Sequence, residues 1–115
     1  MYAELQYEIV KLKNSQKSII VEGKKDKACL EKLGFEHVIE LNKRPLYKVV
    51  EEVAHSCKEV VILTDLDKKG KQLFGYINSG LQKMGVNIDN RFRNFLFRKT
   101  KLRQIEGLKR YIEKF

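Results

Sequence analysis

Three acidic residues stand directly behind apolar runs. Glu22 closes the run Ser18-Ile19-Ile20-Val21 and is followed by Gly23, while Asp65-Leu66-Asp67 follows EVVILT at 59–64. The chain has only four aspartates, and Asp26, Asp65 and Asp67 are three of them. Two aspartates separated by one residue in a loop can face one cation. Hard divalent ions such as Mg2+ take one or two carboxylates and fill the remaining positions with water and substrate phosphate. Without a cation, crowded carboxylates repel and raise one another's pKa. Metal ligation by Asp65, Asp67, Asp26 and Glu22 is therefore one chemistry this pattern supports. Lys24, Lys25, Lys68 and Lys69 flank the acids and suit a phosphate. An ordinary solvated loop between strand and helix also reads as Asp followed by Lys-Lys-Gly, and a strand-end Glu can be a cap or a salt-bridge partner. The order favours chemistry: acid-Gly after one apolar run, then Asp-x-Asp-x-x-Gly after another.

Positioning these acids requires a particular set of elements. Leu5, Ile9 and Leu12 recur at helical spacing, which predicts an amphipathic helix over 2–13. Strands are predicted at 18–22, 37–41 and 59–64. Helices are predicted at 26–33, stopped by Gly34, from Pro45 to about 57, and at 70–84, stopped by Gly85. The alternation argues for a parallel sheet with helices on both faces. Functional residues of such sheets gather at the carboxyl ends of the strands. If the first and third strands are neighbours, Glu22, Asp65 and Asp67 converge. The last thirty residues are less regular. Asp89 could cap a short helix with Phe92, Phe95 and Leu96 on one face. Residues 100–105 read as a last strand and 106–115 as a closing helix. The whole of 1–115 reads as one domain: an N-terminal helix at 2–13, a motif-bearing core at 18–85 and a basic segment at 86–115.

Composition narrows the functional classes. Apolar residues make up 43% and charged residues 34%, an ordinary globular balance. No apolar run approaches a bilayer span, and the first eighteen residues lack a signal-peptide core, so a cytoplasmic protein is expected. Two isolated cysteines and two histidines exclude a zinc-ligand pattern and suit reduced thiols. The net charge is +9, and residues 86–115 hold nine basic against three acidic side chains. Arg91, Arg93, Arg98, Lys99, Lys101 and Arg103 form a dense run that suits a nucleic-acid backbone. The same run also reads as a solvated lysine- and arginine-rich surface.

IIVEGKKDKACLEKLG at 19–34 and VVILTDLDKKGKQL at 60–73 resemble the Toprim family. That family's catalytic domain is shared by topoisomerases, bacterial-type primases, overcoming-lysogenization-defect nucleases and the ribonuclease that matures 5S rRNA. VEGKKD and TDLDKKG are most similar to the nuclease and small primase-like branches, and TKLRQIEGL at 100–108 resembles the last strand and turn of small stand-alone members. The resemblance implies an α/β fold, Rossmann-like, with about four parallel strands sandwiched between helices. It implies Mg2+ or Mn2+ held by Asp65, Asp67 and Asp26, with Glu22 as general acid or base on a phosphodiester. Gly23 and Gly70 occupy the family's glycine positions. Strand passage is not expected, since the topoisomerase nucleophile is a tyrosine on a separate domain.

The function these features imply is metal-dependent phosphodiester chemistry on RNA or DNA, most simply a small ribonuclease-like enzyme. The alternative is a nucleic-acid-binding module that is non-catalytic or depends on a protein partner, and a homodimer is also open. A receiver-like phosphoacceptor domain fits less well, because Glu22 is followed by Gly23 and no fifth strand is evident.

Overall fold

A computed structural model describes residues 2–114; Met1 and Phe115, the latter the last residue of the expected closing helix, lie outside the described residues. The elements run α1 (Tyr2–Ser15), β1 (Ser18–Val21), α2 (Lys24–Lys32), β2 (Val38–Glu40), α3 (Leu46–Ser56), β3 (Glu59–Ile62), α4 (Lys68–Lys83), β4 (Asn87–Ile88), α5 (Arg91–Lys99), a 3-10 turn (Ile105–Gly107) and α6 (Leu108–Glu113). The four strands form one parallel sheet in the order β2-β1-β3-β4. This order makes β1 and β3 neighbours, with Ile20 of β1 opposite Ile62 of β3.

Side chains alternate across a strand, so each central strand feeds two cores. Ile19, Val21, Val61 and Leu63 face one side. There they meet Leu5, Ile9 and Leu12 of α1, Leu30 of α2, Phe92 and Leu96 of α5, and Leu108 of α6. Ile20, Val60 and Ile62 face the other side and meet Val49, Val50 and Val53 of α3 with Ile77 and Leu81 of α4. Burial on both faces explains why the central strands read as unbroken apolar runs. Among the described residues, no helix is long and apolar enough to cross a membrane.

Two helices start earlier than their apolar periodicity predicts. Asp26 takes the Gly23 N–H at 3.1 Å, which extends α2 back to Lys24. Asp67 takes the Gly70 N–H at 2.8 Å as the N-cap of α4, which therefore opens at Lys68. A larger difference concerns the fourth strand. It is Asn87–Ile88, paired with Glu59 and Val60, and not residues 100–105. Because β4 occupies the edge beside β3, residues 100–104 are left to form hydrogen bonds elsewhere. Thr100 ends α5 by donating its hydroxyl to the Leu96 carbonyl at 2.7 Å. The chain then crosses the end of the sheet, where Arg103 accepts the Leu66 N–H through its carbonyl at 2.7 Å.

Candidate active site at the carboxyl edge of the sheet

The loops after β1 and β3 meet. Glu22 Oε2 accepts the Asp65 N–H at 2.7 Å, so the two acids are tied across neighbouring strands. Asp65 Oδ1 in turn accepts the Ile105 N–H at 2.8 Å, a buried bond from the 3-10 turn. Each of Glu22, Asp26, Asp65 and Asp67 thus has one carboxylate oxygen held by a backbone N–H.

Burial separates their chemistry. Asp65 is 9% exposed, and its pKa is pushed up to about 7 by burial first, then by the Asp26, Glu22 and Asp67 carboxylates. Asp26 is raised as well, chiefly by burial, with Glu22 and Glu106 adding to it. Asp67 is exposed.

Glu22, Asp26 and Asp65 line one cleft of about 500 Å3, together with Gly23, Lys24, Lys25 and Lys69. Asp67, Lys68 and Gly70 lie outside its lining. Among the described residues, no three His, Cys, Asp or Glu side chains close into a ready-made metal cage. Gly23 has open space where a Cβ would stand, so packing alone does not demand glycine there. Gly70 is the opposite case. A Cβ would stand 2.0 Å from the Asp65 carbonyl oxygen, so α4 can approach the acidic loop only through a glycine.

Sequence patterning missed the loop between β2 and α3, which supplies Asn42, Lys43 and Arg44 to the cleft. Asn42 and Lys43 adopt left-handed conformations, with φ 45° and 61°, and Arg44 N–H closes the turn on the Leu41 carbonyl at 2.9 Å. The Asn42 N–H binds the Glu22 carbonyl at 3.0 Å, fixing this turn to the acid strand. Asn ahead of a proline was the available turn signal. Gln104 and Glu106 also reach the cleft and were not anticipated.

The basic run divides. Arg98, Lys99, Lys101 and Arg103 are exposed, and Arg91 is exposed while paired with Asp89 at 2.8 Å. Arg93 departs from the expectation of a phosphate-docking side chain, because it is 7% exposed and turned inward. Its guanidinium donates to the carbonyls of Thr64 and Asp65 and lies 4.6 Å from the Phe74 ring centroid and 5.1 Å from that of Phe97. Phe97 is accordingly committed to packing.

Comparison with known proteins bears on the fold and the family. The chain is 36% identical to UPF0292 protein MJ1624 of Methanocaldococcus jannaschii, over 93% of this chain and 87% of that one. It is 39% identical to UPF0292 protein PYRAB04740 of Pyrococcus abyssi, over 94% of this chain and 86% of that one. A solved structure of a protein from Aquifex aeolicus superposes with a TM-score of 0.83 at 32% identity, covering 90% of this chain and 96% of that one. A Toprim domain match spans residues 16–90, from the turn before β1 to the residue before α5, and the chain belongs to the Toprim-domain family.

Proposed function

We propose that this chain hydrolyses phosphodiester bonds in nucleic acid in a Mg2+- or Mn2+-dependent reaction at the Glu22–Asp65 cleft. Toprim domains generally bind Mg2+ and act on nucleic acid. The observation that carries the reading is the clamp between β1 and β3. The Asp65 N–H holds one oxygen of Glu22, and the other is left for proton transfer.

The donor set suits a hard cation. Asp65 and Asp26 are buried carboxylates crowded with Glu22, and the resulting rise in pKa is the cost a divalent ion would relieve. Mg2+ needs only one or two protein carboxylates, so a closed cage of three is not required. Asp65 and Asp26 would hold it from within the cleft, with Asp67 at the margin. When bound, the ion supplies positive charge against the phosphate and lowers the pKa of water. Glu22 takes a proton from the attacking water or returns one to the leaving oxygen. Lys24, Lys25 and Lys69 offset phosphate charge at the mouth, and the β2–α3 turn adds Lys43, while Arg44 beside it is paired with Glu52 at 2.9 Å.

The position of Asp67 favours a second reading, metal-bridged binding without cleavage. Asp67 is exposed, outside the cleft lining, and committed by one oxygen to capping α4. A cleavage assay on labelled structured RNA and on single- and double-stranded DNA with Mg2+ or Mn2+ separates the two. Under the catalytic reading the wild type cuts, and Glu22→Gln lowers the rate by about 10²–10⁴-fold without abolishing binding. Retention by the wild type of every substrate uncut, with metal-dependent binding, selects the second reading.

A further inference from the structure

We propose that Arg93, a cation read from sequence as part of a nucleic-acid footprint, is the positioning residue that sets the direction of the Asp65 carboxylate. The inference rests on the reading that Asp65 holds a divalent ion. Two peptide units flank the Asp65 Cα, and together they determine where its side chain points. All four of their polar groups are engaged. Arg93 takes the Thr64 carbonyl, and Glu22 takes the Asp65 N–H of the same unit. Arg93 also takes the Asp65 carbonyl at 3.3 Å, and the Arg103 carbonyl takes the Leu66 N–H at 2.7 Å. Among the described residues, Arg93 is the one side chain that grips both units.

Its surroundings suit that task. Among the described residues no carboxylate lies within ion-pair distance of Arg93, so the buried guanidinium spends its donors on backbone carbonyls. Phe74 of α4 and Phe97 of α5 flank it and hold the plane of the fork. Lysine cannot reproduce the grip, because a single ammonium does not present two parallel donors in a fixed plane.

The test is Mn2+ binding by the full chain, read by electron paramagnetic resonance beside thermal stability, for wild type, Arg93→Lys, Arg93→Met, Arg93→Ala and Asp65→Asn. Loss of an outer partner of a metal ligand lowers affinity by about 10–100-fold. That loss is expected for Arg93→Met and Arg93→Lys at temperatures well below their unfolding. Millimolar guanidinium should restore affinity to Arg93→Ala and leave wild type unchanged. If Arg93→Met does not fold, Arg93→Lys and the guanidinium rescue carry the test. Wild-type affinity in a folded Arg93→Lys or Arg93→Met variant overturns the inference, as does failure of guanidinium to rescue a folded Arg93→Ala. Absence of Mn2+ binding by the wild type, or its survival in Asp65→Asn, overturns instead the reading on which the inference rests.

Discussion

Asp65 is a liability to the folded chain. An aspartate that titrates near its ordinary value of 3.8 when unfolded and at about 7 when folded binds its proton more tightly in the native state. The stability it contributes is therefore complete below pH 4 and is lost as pH rises through 7. Asp26 acts in the same direction. Asp89 acts oppositely: its carboxyl is held far below the usual range, first by the Arg91 guanidinium, so its contribution is lost only in acid. Between pH 5 and 8 Asp65 governs the slope. The metal-free protein is expected to lose about 2 kcal/mol of stability across that window. Asp65→Asn keeps an acceptor for the Ile105 N–H and has no charge to bury. It should flatten the slope and exceed the wild type in stability at pH 8, measured by urea unfolding in the presence of a chelator. A wild-type slope of the opposite sign would contradict the burial of this carboxyl. A site that is more stable without its acid is one where function has been kept at the expense of stability.

The elements show why some of this was legible and some was not. The strands carrying Glu22 and Asp65 are buried on both faces, so they read as apolar runs, and the acids stand out at their ends. Helical spacing exposed α1, α3 and α4 for the same reason. The final third hid its structure because β4 has only two residues, too few to make a pattern. Residues 100–105 read as a strand alongside the family resemblance, but Leu102 and Ile105 are three apart and do not alternate, and the Arg103 carbonyl and Ile105 N–H serve the acidic loop. Arg93 was lost in a run of cations. Its three- and four-residue spacing to Leu96 and Phe97, on the apolar side of α5, was the signal that it turns inward. Helix α4 offers a test of close approach. Gly70 and Gly75 lie on that one helix, but a Cβ at Gly75 would meet nothing within 4 Å, whereas at Gly70 it would meet the Asp65 carbonyl. Gly75→Ala should gain up to about 1 kcal/mol from helix propensity. Gly70→Ala should lose about 2–3 kcal/mol and displace the acidic loop. Thermal unfolding of the two variants reads the opposite signs directly, and equal effects would show that α4 does not press on the loop.

At the scale of the molecule, the sheet sets two charged regions apart. The acids and their lysine rim open at the carboxyl edge, while Arg98, Lys99, Lys101 and Arg103 lie along α5 and the segment after it, outside the cleft lining. A long polyanion is the ligand class that could use both, with one phosphate at the cleft and others along the basic flank. Each phosphate neutralised releases condensed counterion, and the logarithm of affinity then falls with that of salt by about 0.7 per contact on single strands and 0.9 on duplex DNA. Arg98→Ala and Lys101→Ala are each expected to weaken nucleic-acid binding evenly across sequences and to make the salt slope shallower by about one contact. Lys48→Ala, on α3 across the sheet, removes the same charge from the other face and should leave the slope unchanged. Fluorescence anisotropy over a salt series measures all three. Equal slopes for Lys48→Ala and Arg98→Ala would mean that the +9 charge acts as a diffuse field, and the basic flank would then have no claim to be a track for the strand.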